Sequence, residues 1–391
     1  MKDWVAIRGA FLVLAFLPLG YYLFAICVAW RFFRRRPPAR LDFAPSVSIL
    51  KPIYGLDREA YLNFASFCRQ DYPEFEILFC VTDERDTAVP VIEQIIQDFS
   101  KRENSGPSIR LLVGQEPLGA SDKINKLCRM VREARHDIVI VSDSDVRVEP
   151  GYLRAIVAPF RDPKAGAVTC LYRGLTDGSL AGNLVALGNS VDFAPGVVAA
   201  GLVGGINFAL GATMATTKKH LAEIGGFESL VNHFSDDYEL GNRIAKRGYR
   251  VELSTTPVSV VYPRQSLSEA FCQQLRWNAS IRYSRPAGHL GLIVTQGLPW
   301  ALFGAALAPN AAVAVVYLAA YLVLRGAMAW TVGVWGMNDD LVRRKFWMLP
   351  LRDAFGFVAW LVSFIPQRIH WRGQEYYVRD KRLVSVPSRH P

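Results

Sequence analysis

Three groups of residues in this 391-residue chain have types and spacings suited to chemistry. Two apolar runs end in aspartates: 75–81 leads into Thr82-Asp83, and 137–141 into Ser142-Asp143-Ser144-Asp145. An aspartate after a strand is often a turn former, and Asp83 alone carries no more than that. Asp143 and Asp145 are different. Two carboxylates one residue apart at a strand end can face one hard cation, whose remaining sites take phosphate oxygens and water. Further on, Asp236-Asp237 opens a helical stretch after the turn Gly225-Gly226-Phe227. One of the two acids suits the helix cap, which leaves the other to point elsewhere. The third group is Gln273-Gln274-Leu275-Arg276-Trp277, inside an amphipathic stretch over 267–283. There Trp277 and Tyr283 also suit the headgroup level of an interfacial helix.

These residues need a scaffold, and the pattern supplies one. Apolar runs at 47–51, 75–81, 109–113 and 137–141 read as strands, with helical stretches at 59–69, 89–101 and 124–134 between them. Short apolar strands alternating with longer helices predict a parallel α/β sheet with crossover helices. Ligands of such sheets bind beyond the carboxyl ends of the strands, where Asp83, Asp143 and Asp145 stand. No GxGxxG or GxxxxGK[ST] follows the first strand, which excludes the common dinucleotide and P-loop sites. Lys51-Pro52-Ile53-Tyr54-Gly55 stands there instead. His136, His220 and His233 read as surface or structural residues. The basic residues form no aromatic-interleaved patch, so nucleic acid is not the partner.

Composition places this sheet beside a membrane. The chain is 51% hydrophobic and 20% charged, with 45 Lys and Arg against 35 Asp and Glu. Its mean hydropathy of +0.15 is too high for a disordered chain or an ordinary soluble enzyme. Residues 9–30 run for 22 positions without a charge, enough to cross a bilayer. Arg31, Arg34, Arg35, Arg36 and Arg40 follow, which reads as an anchor with its following segment in the cytoplasm. From 286 to 324 no acid, Lys or Arg occurs, and Ala308-Pro309-Asn310 divides that run into spans near 289–307 and 311–334. A last apolar stretch, 346–366, contains Arg352 and Asp353, so the pair is internally matched or the segment does not span. The expected organisation is a 9–30 anchor, a 31–44 basic linker and a 45–285 cytosolic catalytic domain. A 286–366 membrane region and a 367–391 basic tail complete it. Cys27, Cys68, Cys80, Cys128, Cys170 and Cys272 are scattered without metal-ligand spacing, as reduced thiols mostly of the core.

The ordered set Asp83, Asp143-Ser-Asp145, Asp237 and Gln273-Gln-Leu-Arg276-Trp277 resembles the membrane-embedded inverting glycosyltransferases of the GT-A fold. More locally, Lys51-Pro, Asp71-Tyr-Pro, Lys123-Ile-Asn125, Asp143-Ser…Arg147-Val and Asp237-Tyr are similar to the ceramide glucosyltransferases. Ser66-Phe-Cys-Arg-Gln-Asp-Tyr-Pro73 and Leu171-Tyr-Arg-Gly174 are shared with the bacterial hopanoid-linked glycosyltransferases. The complete DxD departs from the animal ceramide enzymes, which lack the second acid at Asp145. The resemblance implies a nucleotide-sugar-binding GT-A sheet flanked by transmembrane helices, in a bacterial inner membrane with its catalytic domain in the cytoplasm. It implies transfer of one hexose, with inversion, from a UDP-sugar (UDP-glucose first) to a hydroxyl of a membrane lipid. Ceramide is the first expected acceptor and a hopanoid polyol, with UDP-N-acetylglucosamine or a hexose donor, the second.

The same resemblance assigns roles. Asp83 would bind the uridine. Asp143 and Asp145 would hold the nucleotide and a Mg2+ or Mn2+ on its diphosphate. Lys123 would neutralise the donor side, although a solvated helix lysine is an equal reading. Asp237 would accept the proton of the attacking hydroxyl, and Gln273, Arg276 and Trp277 would close over the diphosphate and acceptor. A processive polysaccharide synthase shares these motifs but resembles a chain with more membrane helices. An inactive scaffold would be expected to have lost one of the acids.

Overall fold

The computed structural model describes residues 2–35, 43–100, 106–365, 369–371, 374–379 and 382–385. They group into two units, one built from 43–172 and 204–263 with the last short strands, the other from 2–35, 173–203 and 264–365.

The first unit is organised by an eight-stranded sheet in the order β3-β2-β1-β4-β7-β6-β8-β5. Strands β1 (Val47–Pro52) and β2 (Phe75–Val81) are buried along their whole length, as a sheet covered on both faces requires. β1 pairs in parallel with both β2 and β4 (Ile138–Val141), and β2 pairs in parallel with β3 (Ser108–Val113). The connecting helices are Ala60–Cys68, Val89–Ser100 and α1 (Asp122–Glu133). This half matches the sequence expectation. The other half does not, because β7 (Met214–Thr217) runs antiparallel to β4 and β6 (Ala165–Leu175) antiparallel to β7. β5 (Val146–Arg147) and β8 (Arg250–Val261) form a further antiparallel pair, so the sheet is mixed rather than parallel throughout. A four-residue strand such as β7 has too little apolar pattern to be read beforehand. Leu50, Leu78, Ile124, Leu127, Val139 and Val141 share one core with Phe227 and with Leu240 of α2 (Asp236–Lys246). That core fixes α1 and α2 against the sheet. Beyond residue 368, backbone strands β9 (Ile369–Trp371), β10 (Gln374–Arg379) and β11 (Arg382–Ser385) make a small antiparallel sheet within the expected basic tail.

The second unit is helical. Among the described residues, three helices are long and apolar enough to cross a membrane: Arg8–Arg34, Leu180–Gly204 and Ala311–Gly336. The first and third fall on expected spans. Leu180–Gly204 does not: it lay inside the expected 45–285 catalytic domain, which is therefore not continuous, since 173–203 and 264–285 group with the apolar helices. Asp192 interrupts its apolar run, and its mean hydropathy is the lowest of the three at 1.3. The expected span at 289–307 is broken into Pro286–Gly291, a 3-10 turn Leu292–Thr295 and Gly297–Ala306. Pro299 lacks an N–H, so it sits in the first turn of a restarted helix rather than within a continuous one. α3 (Leu267–Ser284) begins at a capping box in which the Ser266 side chain and Glu269 satisfy each other's backbone N–H groups. α4 (Leu349–Val362) has 14 residues, fewer than the ~20 that cross a bilayer. Its Arg352 and Asp353 are matched internally, with Arg352 Nε 2.8 Å from Asp192 Oδ2 and Arg325 Nη2 2.6 Å from Asp353 Oδ1.

Candidate active site

The candidate site lies in the first unit, at the carboxyl end of β4. The Ser142 N–H extends the β1–β4 ladder by donating to Leu50 O, and the chain then turns out of the sheet. Two main-chain carbonyls of that turn are held: Asp143 O accepts from Lys51 Nζ at 2.8 Å, and Asp145 O accepts from the Val261 N–H at 2.8 Å. The backbone that carries the two side chains is thereby fixed at the strand end.

α1 brings a cation to them. Ser121 caps this helix by accepting from the Ile124 N–H, and Asn125 ties down the preceding loop by accepting from Leu118 and Gly119 and donating to Gly119 O. The first turn so held carries Lys123, whose Nζ lies 2.7 Å from Asp143 Oδ1 and 3.7 Å from Asp236 Oδ2. Burial opposes the lysine's charge, yet Asp143, Asp236 and Asp237 outweigh it and raise its pKa. Lys123 is thus a buried, ion-paired lysine rather than a solvated one.

α2 brings the remaining acids. Gly241 allows its approach, because a Cβ there would lie 2.2 Å from Ala209 N. One turn earlier, Asp237 O accepts from that same Ala209 N–H, and Asp237 Oδ1 accepts from the Tyr238 N–H at 2.7 Å. Gly211 faces both acids, since a Cβ built on it would stand 3.4 Å from Asp237 Oδ2 and 3.6 Å from Asp143 Oδ2. Asp143 and Asp237, far apart in sequence, thus point into one small space.

The electrostatics follow from crowding acids where water is scarce. Burial, with Asp236 beside it and Lys123 opposing, pushes the Asp237 carboxyl up to about 6. Burial, then Asp143 and Asp57, pushes Asp145 up to about 7 against the pull of Lys51. Lys51 itself is fully buried over the Phe67 ring at 3.8 Å, and burial lowers it to about 7 although Asp143, Asp145 and Asp57 oppose this. Lys51 is the site residue that sequence reasoning missed as such. Its place at the end of an apolar run, in Lys51-Pro52, was the available sign.

Asp83 stands at the end of β2, where its Oδ1 accepts from the Arg85 N–H at 2.8 Å and closes a turn. Gln273, Arg276 and Trp277 lie on α3, in the helical unit. Among the described residues no three His, Cys, Asp or Glu side chains converge as a metal-binding group. The pair Asp143 and Asp145 nonetheless fits a hard divalent ion whose other ligands come from a diphosphate and water. Asp143 and Asp57 add to burial in raising the Asp145 carboxyl, and a divalent ion there would offset that mutual repulsion.

Against known proteins, the profile of the family described as "Glycosyl transferase family 21" matches residues 10–384. The chain is 26% identical over 271 residues to ceramide glucosyltransferase 3 of Caenorhabditis elegans, covering 66% of this chain and 55% of that protein. It is 30% identical over 184 residues to the ceramide glucosyltransferase of Gibberella zeae, covering 43% of this chain and 34% of that protein. The chain thus spans about half the length, or less, of the curated relatives it matches. Among solved structures, a mannosyltransferase from Pyrobaculum calidifontis in complex with GDP-Man and Mn2+ aligns with a TM-score of 0.52 at 18% identity. That alignment covers 92% of this chain and 98% of the mannosyltransferase, and it establishes the GT-A-type fold.

Proposed function

The chain belongs to glycosyl transferase family 21, and from that premise we propose that it transfers glucose from UDP-glucose to the hydroxyl of a membrane lipid, ceramide first. The observation that carries this reading is the convergence of Asp237 and Asp143 on the space in front of Gly211, with Lys123 paired to Asp143. The lipid acceptor is supported by the names of the relatives and by the apolar helices Arg8–Arg34 and Ala311–Gly336, each long enough to cross a membrane.

In the proposed reaction the acceptor oxygen attacks the anomeric carbon as the bond from that carbon to the UDP oxygen breaks, which inverts the centre. Asp237 takes the hydroxyl proton. A carboxyl held near 6 is ionised at neutral pH yet basic enough for this task. One base suffices, because no covalent glycosyl-enzyme intermediate is formed. Lys123 pairs with Asp143 and places positive charge beside the donor phosphates. Asp83 would receive the uridine, and Asp143 and Asp145 would hold a Mg2+ or Mn2+ that supplies charge stabilisation to the departing diphosphate. Gln273, Arg276 and Trp277 are assigned to the diphosphate and acceptor by their motif. We assign residues 31–285 to the cytoplasmic side, from the arginines over 31–40, with Leu180–Gly204, most of whose apolar window is buried inside the protein, not crossing the membrane.

The test is to incubate membranes containing the chain with labelled UDP-sugars and a panel of ceramide, hopanoid polyol and soluble acceptors. Label from UDP-glucose should enter the organic phase with ceramide. Label confined to water-soluble or polymeric material would contradict the lipid reading and favour a polysaccharide synthase.

A further inference from the structure

Two charges in the helical unit are matched through a residue that also grips α3. Arg352 of α4 donates from Nε to Asp192 Oδ2 at 2.8 Å and from Nη1 to Gln274 Oε1 at 3.1 Å. Asp192 is anchored in turn by Arg325, whose Nη2 lies 2.5 Å from its Oδ1. Arg325 also contacts both oxygens of Asp353, which accepts from the Tyr321 hydroxyl at 2.8 Å as well. Two arginines and two aspartates thus form a neutral, largely buried set, and Gln274 ties α3 to its edge.

The position of Gln274 on its helix matters. Phe271 meets Phe355 edge to face at 5.8 Å, Gln274 meets Arg352, and Arg282 Nη1 donates to Ser363 O at 2.5 Å. With buried Leu275 and Asn278, these residues form one stripe of α3 at helical spacing, the stripe fastened to α4 and the turn after it. Gln273, Arg276 and Trp277 fall at i, i+3 and i+4 on roughly the opposite side of the same helix. Fastening one stripe therefore sets the direction of the other. Two further observations bear on this. Gly188 is required where Arg352 passes, since a Cβ there would lie 2.4 Å from Arg352 Nη2. Gln273 Oε1 is buried and accepts no hydrogen bond from the described residues, as befits an acceptor kept for a substrate hydroxyl.

We propose that Arg352 and Gln274 are positioning residues, which lock the rotation of α3 so that Gln273, Arg276 and Trp277 project in the orientation that transfer requires. This rests on the reading that the motif serves sugar transfer. Neither residue need touch substrate.

The test uses the full chain in detergent, comparing Gln274→Leu, Gln274→Glu and Arg352→Lys for kcat, KM, thermal midpoint and amide hydrogen exchange over residues 267–284. Misplaced groups typically cost one to two orders of magnitude, so Gln274→Leu should lower kcat about 10- to 100-fold with KM for UDP-glucose within about twofold. Its thermal midpoint should stay within a few degrees, and exchange should rise within α3. Gln274→Glu keeps an acceptor for Arg352 and should recover most of kcat. Arg352→Lys keeps the charge facing Asp192 but not the two-pronged reach, and should behave like Gln274→Leu even if that variant does not accumulate. Wild-type kcat in Gln274→Leu or Arg352→Lys, or equal losses in the Leu and Glu variants, would overturn the proposal. If wild-type protein transfers nothing to ceramide, the functional reading fails instead. The exchange arm then still decides, and unchanged α3 exchange in both Gln274→Leu and Arg352→Lys would overturn the positioning role.

Discussion

Lys123 Nζ stands 2.7 Å from Asp143 Oδ1, so the DxD motif and the start of α1 share an ion pair before any substrate arrives. The lysine side chain is 10% exposed and the aspartate 36%, which leaves one partner dry and the other wet. This asymmetry bounds what the pair contributes.

Removing a fully buried partner costs about 3–5 kcal/mol, whereas a half-wet pair such as this should lose about 1–3 kcal/mol. Lys123→Met should therefore lower the thermal midpoint measurably and weaken UDP-glucose binding, read by calorimetry. An unchanged midpoint with unchanged donor affinity would show that the pair has neither role.

Chelation gives a second expectation. EDTA should stop turnover, and either Mg2+ or Mn2+ should restore it, because hard carboxylates beside a diphosphate offer no soft ligand to select zinc. Asp145→Asn should require more metal for half-maximal activity. Full activity in chelator would mean that the lysines alone balance the diphosphate.

The pH dependence of stability has a definite sign. Asp237 and Asp145 are raised to about 6 and about 7 from 3.8, so between about pH 4 and 7 the folded chain keeps protons that the unfolded chain has released. Both groups therefore lose stability as pH rises through that window. Lys51, lowered to about 7 from 10.5, works the other way above neutrality, where the unfolded chain keeps the proton. Thermal midpoints of ligand-free protein should carry a dip near neutral pH, and Lys51→Met should remove its alkaline recovery. A midpoint flat in both arms would contradict the crowding described here.

Topology is open to thiol labelling, with the right cysteine. Cys68 and Cys128 are buried, and burial pushes both thiols up to about 12, so they make poor probes. Cys272 is exposed on α3. A membrane-impermeant maleimide should label Cys272 only after permeabilisation, and labelling in intact cells would reverse the proposed orientation.

Much of the candidate site was legible in sequence because its acids end strong apolar runs or open helices. Asp143, Asp145 and Asp237 were found that way, and the β1, β2 and β4 strands with them. Lys51 was not, since a lysine closing a strand reads as a solvated end until Phe67 and Asp143 are seen around it. The antiparallel half of the sheet escaped because β7 has only four residues. The pairing of Arg352 with Asp192 escaped for another reason. The two are 160 residues apart, and each alone looks like a defect in an apolar helix.

The most direct measurement on the central claim is turnover and UDP-glucose binding of Asp237→Asn, made on one preparation. Loss of a positioned base should cut kcat about 10²- to 10⁴-fold, while donor affinity stays within about threefold. Near-normal turnover in that variant would contradict the account, and Asp236, its neighbour on the first turn of α2, would become the base to examine.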